Sequence, residues 1–179
     1  GTTKDDDVIV CSSQPLAPTN ILVGLDGSAS RVLAFSLKTR KILRTYIGAP
    51  TKGLKAAVWS GDGRWVAAGF EQGKVVVWNA EKEKALFVLD LPQYTGPLLN
   101  VGWGPVTEKT DNSKSKEAAK PPVLVALTAA KGDEAACLVP FSGPQLKLME
   151  PVKFDSVEET GTGGEVLAMA MATPAERER

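Results

Sequence analysis

Residues able to do chemistry are few in this chain, and their spacing suits little of it. The 179 residues include no histidine. That removes the Ser-His-Asp and Cys-His arrangements and the commonest transition-metal ligand. Asp5, Asp6 and Asp7 stand in a row, open to two readings, a cation site or a solvated cap before a strand. Calcium loops space their ligands around a glycine turn, so the cap is preferred. Glu158 and Glu159 fall in a linker, where nothing desolvates a carboxylate for acid–base work. Gly161, Gly163 and Gly164 lack the Lys-Ser/Thr pair of a phosphate loop and read as linker too. Cys11 and Cys137 occupy separate apolar runs without metal-like spacing, which predicts two reduced, buried thiols. The expectation is a protein that is not an enzyme and holds no metal or cofactor.

One cluster invites binding rather than catalysis. Lys38, Arg40, Lys41 and Arg44 gather around a single turn. They could contact RNA, a phosphoinositide or another anion, although a solvated turn explains them equally well. Overall, 21 basic and 21 acidic residues leave a formal charge of zero. A chain built mainly to hold nucleic acid or an anionic membrane would carry an excess of positive charge. Ser113 and Ser115 lie among lysines, where modification and plain solubility are both open. No apolar run approaches the ~20 residues of a membrane span, and no signal peptide is seen. With the free cysteines, this points to the inside of the cell, cytoplasm or nucleus. The chain starts at Gly1 rather than methionine, so a fragment of a longer protein is expected.

The elements that would position such residues are short strands. Residues 53–91 hold four apolar runs, at 54–59, 65–70, 74–78 and 85–91. The breaks between them are glycine, aspartate, asparagine and charge, which supply left-handed backbone and local hydrogen bonds. Connections this tight pair only neighbouring strands, giving a four-stranded antiparallel meander. A helix suits poorly, because glycine interrupts the runs and Val75, Val76 and Val77 are β-branched.

The pattern repeats. Residues 8–13, 21–25, 31–37 and 42–47 form a first copy, with a proline-bearing loop at 14–20, and Phe35 anticipates Trp78 43 positions later. A third copy opens at 96–103, placing Trp103 44 positions after Trp59, and resumes at 123–127, 136–141 and 145–152. Between its first two strands lies PVTEKTDNSKSKEAAKPP, residues 105–122, too polar to bury its own core and expected as a flexible insertion. Residues 164–171 start the pattern again.

A period near 43 residues with four strands and a closing aromatic is the sign of a β-propeller, whose sheets each use their neighbours as core. The pattern resembles the WD-repeat (Trp-Asp) family across nearly the whole chain outside the insertion. The most specific part is Leu54, Val58-Trp59-Ser60-Gly61-Asp62-Gly63-Arg64, then Gly73-Lys74-Val75, Val77-Trp78-Asn79. The family's Trp-Asp dipeptide is replaced by Phe35-Ser36, Trp78-Asn79 and Phe141-Ser142, and its Gly-His dipeptide is missing. Its buried Trp, Ser/Thr, His, Asp network therefore cannot form, and apolar packing must hold the sheets, with Asp26 and Glu71 as remnants of the acidic hairpin position.

The resemblance implies an all-β, incomplete propeller: blades at 8–48, 53–92 and 96–153, and the first strand of another at 164–173. Two broad apolar faces would stay open, to be closed by blades from the same longer polypeptide or from a partner subunit. The family mostly assembles complexes and rarely catalyses. The expected function is thus a non-catalytic protein–protein interaction scaffold, a subunit of a larger intracellular complex. The alternatives are RNA or phosphoinositide binding through Lys38, Arg40, Lys41 and Arg44, or a purely structural tile. Partners of the family dock mostly at the top face or central channel, while the insertion would hang from the bottom. Tyr46 and Tyr94 are aromatic residues near strand ends, expected as packing between blades more than as contacts.

Overall fold

The computed structural model of the chain describes residues 7–27, 29–50, 52–93, 95–104, 121–131 and 135–153. Asp5, Asp6, Tyr94, Ser113, Ser115, Glu158 and Glu159 lie outside these residues, as do the glycines from 161 on, nearly all of the expected insertion and the strand expected at 164–173.

Three antiparallel sheets form in chain order. The first runs β1 (Asp7–Gln14), β2 (Ala17–Asp26), β3 (Arg31–Ser36) and β4 (Lys41–Tyr46), each beside the next. The second repeats this with β5 (Leu54–Trp59), β6 (Trp65–Phe70), β7 (Lys74–Asn79) and β8 (Phe87–Asp90). In the third, β9 (Leu98–Trp103), β10 (Leu124–Thr128) and β11 (Cys137–Ser142) are flanked by two short strands, β12 (Lys147–Leu148) and β13 (Val152–Lys153). No helix occurs among the described residues. The first strands adjoin one another, β1 against β5 and β5 against β9. The sheets therefore radiate from a common inner line with their fourth strands outermost.

Local chemistry shapes the turns. Between β5 and β6, the Ser60 hydroxyl donates to Asp62 Oδ1 at 2.6 Å and accepts from the Trp65 amide at 2.9 Å. The Arg64 amide donates to the same aspartate oxygen at 3.1 Å. Side chains thus satisfy backbone groups that a tight turn leaves free.

Alternation decides which neighbour each residue meets. Trp65 and Ala67 of β6, with Val75 and Val77 of β7, pack with Leu98, Val101, Leu124 and Phe141 of the third sheet. The residues between them, Val66, Ala68, Phe70, Val76 and Trp78, pack with Leu22, Val32, Ala34 and Tyr46 of the first. A Cβ added at Gly69 would stand 2.6 Å from a Leu98 methyl, so its absence lets the second and third sheets approach. At Gly96 an added Cβ would collide with the Ala129 carbonyl oxygen.

Polar groups also cross the first seam. Trp78 donates its indole N–H to the Ile47 carbonyl at 2.8 Å, and Tyr46 its hydroxyl to the Ala80 carbonyl at 3.0 Å. The Ile47 amide donates to the Glu83 carbonyl at 2.7 Å, and Asp26 accepts from the Gly53 amide at 3.2 Å. The Trp78 indole is thus held by backbone that follows the last strand of the neighbouring sheet. Glu71, the second supposed remnant, makes an exposed ion pair with Lys55 at 3.4 Å.

Three expectations change. The loop at 14–20 shrinks to a hairpin at Pro15-Leu16, and β2 runs from Ala17. Pro18 is tolerated there because the paired registers resume at Asn20 on the β3 side and skip position 18 on the β1 side. The strand expected at 145–152 is broken into β12 and β13, whose registers against β11 differ by one residue. Pro140 on β11 and Pro151 between the short strands lack the N–H a continuous ladder would use. The two outer faces are also unequal: Ile42 on the first sheet is 58% exposed, whereas Val125 and Leu127, which point away from the second sheet, are 8% and 1% exposed.

Candidate functional site

Antiparallel connectivity gathers the first-to-second and third-to-fourth strand turns at one end of every sheet. The second-to-third turns and the linkers between sheets gather at the other. A groove opens at each end, at a different seam. The first, of about 670 Å³, lies between sheets one and two and takes residues from the β5–β6 and β7–β8 connections and from the strands of the first sheet. The second, of about 660 Å³, lies between sheets two and three, among the β6–β7 turn, the linker after β8 and Lys131.

The two differ in charge. In the second groove Lys74 pairs with Asp90 at 2.6 Å, and Lys131 donates to the Gln93 carbonyl at 3.0 Å. Glu71 is already paired with Lys55. Positive and negative groups there are matched. The first groove has Arg44, Arg64 and Lys82 against Asp62 and Glu81. Asp62 is occupied by Ser60 and the Arg64 amide, and no ion pair joins the three cations to a described carboxylate. Its apolar lining includes Leu43, 48% exposed, and Leu86, 50% exposed.

The four basic residues singled out from sequence separate here. Lys38 and Arg40 are exposed in the β3–β4 turn, with Arg40 held in left-handed backbone at φ 56°. Lys41 opens β4 opposite Ser36, and Arg44 lies opposite Ala34, half-buried in the wall of the first groove. Arg64 and Lys82 belong to the same surface and were missed, because they lie in a different repeat. The available signal was topological: cations in any first or third turn of a meander collect at one end.

Tyr46 is packing, as expected for it: it is 3% exposed, its ring 5.5 Å from that of Trp78. Burial pushes its hydroxyl pKa up to about 12, opposed by the nearby positive charge of Arg44. Trp59 and Trp65 also line the first groove, and their buried indole N–H groups have no acceptor among the described residues. Cys137 is a buried free thiol beside the Thr128 hydroxyl at 3.1 Å. Among the described residues, no three His, Cys, Asp or Glu side chains converge as a metal site, and no helix is long and apolar enough to cross a membrane. The neck of the expected insertion lies between β9 and β10, where the Gly104 amide donates to the Val123 carbonyl at 2.6 Å.

No protein-family model matches the chain, and no curated protein does. Solved structures do. The chain is similar to the β-propeller domain of Cps50 (Swd1) from Myceliophteria thermophila, with 14% identity and a TM-score of 0.60 over 89% of this chain and 42% of that one. It is also similar to the Dos1 propeller, with 15% identity and a TM-score of 0.63 over 87% of this chain and 36% of that one. The chain spans less than half the length of either. At such identity the likeness is one of fold: this chain is part of a β-propeller, three sheets of a ring that is not closed.

Proposed function

We propose that this protein is a non-catalytic protein–protein interaction scaffold of the WD-repeat type, a subunit of a larger intracellular complex. The observation that carries the reading is the division of labour in the fold. Sheet-to-sheet packing consumes the apolar residues on the facing sides of the strands, while the turns at both ends are left to line surface grooves. A rigid frame presenting loops at two ends suits docking.

The ring is completed by further blades, most simply from the same longer polypeptide. The apolar outer face of the first sheet supports this, since Val8 and Ile42 are 64% and 58% exposed there and open faces of this kind invite a neighbour. The buried free thiol of Cys137 supports a reducing, intracellular setting.

Affinity purification of the parent protein, followed by mass spectrometry, tests the scaffold. Stable partners in fixed stoichiometry are the expected result. Recovery of the parent alone, or turnover of a substrate by the lone protein, would overturn it.

A further inference from the structure

We propose that the groove between sheets one and two binds an extended acidic segment of another protein, one carrying an apolar anchor between its carboxylates. The inference rests on the scaffold reading and assigns an occupant to one of its surfaces.

Charge complementarity is the first argument. Arg44, Arg64 and Lys82 border the groove without a described ion-pair partner and outnumber its two carboxylates, Glu81 and Asp62, the latter also hydrogen-bonded within its own turn. Lys38, Arg40 and Lys41 extend the positive field along the turn leading into β4. Exposed leucines at positions 43 and 86, 48% and 50% accessible, give the lining an apolar element that an ionic ligand alone would not satisfy. Leu43 and Arg44 sit on β4, the outermost strand of its sheet, whose second edge pairs with no described strand. An extended chain laid there gains backbone hydrogen bonds as well as side-chain contacts.

RNA fits the same surface less well. Single-stranded nucleic acid binds by stacking bases on aromatic faces beside a basic track. Trp65, at 6% exposure, offers no free face, the Trp59 ring is packed against the first core, and the accessible apolar groups are aliphatic.

The test uses the full chain and three fluorescein-labelled probes: a glutamate-rich peptide with one central leucine, its serine-for-glutamate counterpart, and oligouridine. Arg64 and Lys82 are exposed, so the double variant Arg64→Glu, Lys82→Glu should fold, and an unchanged melting curve checks that it does. Leu86→Ser probes the anchor separately. Expected results are binding of the acidic peptide that weakens about tenfold in the double variant and a few-fold in Leu86→Ser. Binding should also weaken as salt rises, and the serine peptide should not bind. Equal affinity of wild type and double variant for the acidic peptide would overturn the assignment. So would tighter binding of oligouridine that is lost in the same variant. If the peptide fails while the parent still purifies with its partners, the groove is wrong and the scaffold stands; a parent without partners removes the scaffold itself.

Discussion

Two inner strands, β6, the second of its meander, and β3, the third of its own, have different burial. In β6, between two neighbours, all six residues from Trp65 to Phe70 are buried. In β3, with a described neighbour on one side only, Val32, Ala34 and Ser36 are buried while Leu33 and Phe35 are half-buried and Arg31 is exposed. The sequences anticipate this. WVAAGF is apolar throughout, as a strand covered on both faces must be, and RVLAFS mixes polar and apolar residues. Burial in this fold belongs to the neighbour rather than to the sheet. The first sheet keeps one face of its core uncovered, whereas β10 of the third is buried at all five positions.

The sharpest way to break this comparison is to truncate one side chain in each setting. Phe70→Ala, at a position with no exposure, should cost about 3–5 kcal/mol in urea denaturation. Ile42→Ala, on the outer face, should cost roughly 0.5 kcal/mol in this chain and about 2 kcal/mol in a parent whose next blade covers it. Equal costs at the two sites would refute face-to-face packing.

The seam between the first two sheets can be titrated. An unfolded tyrosine ionises near pH 10, and Tyr46 in the fold ionises at about 12. Its folded pKa is raised, so its contribution is complete below about pH 10 and is lost as pH rises toward 12, a loss of roughly 2–3 kcal/mol. Stability measured by denaturant across that window should fall in the wild type and fall less in Tyr46→Phe.

A smaller effect separates two tryptophans. Trp78→Phe removes the hydrogen bond to the Ile47 carbonyl and should cost about 2 kcal/mol, whereas Trp59→Phe removes an N–H with no acceptor and should cost about 1 kcal/mol or less. Thermal melts of the pair would show whether the seam is latched by that indole. The smallest change is a gain. Arg40 has φ 56°, and Arg40→Gly should stabilise the turn by roughly 1 kcal/mol by relieving a left-handed side-chain clash. A loss of stability there would mean the arginine side chain holds a contact that the turn needs.

Much of the fold was legible because its signals are local. Strand lengths, the Ser60 to Gly63 turn and the placement of Trp78 at the end of a third strand all follow from runs of apolar residues punctuated by glycine and aspartate. Proline misled where it stood outside the ladder, at Pro18, and its effect on a partner strand went unseen at Pro140. The candidate site was half legible. Four cations within residues 38–44 are close in sequence, but Arg64 and Lys82 join Arg44 only when two repeats are laid side by side.

By itself, the amino-acid order determined the strands, their antiparallel pairing and the kind of neighbour each face requires, since a period of two and a tight turn act within a few residues. The tertiary structure decided which side chains share a groove and that the Trp78 indole ends on the Ile47 carbonyl. Those outcomes depend on distances between residues from different sheets, and packing, not local preference, sets them.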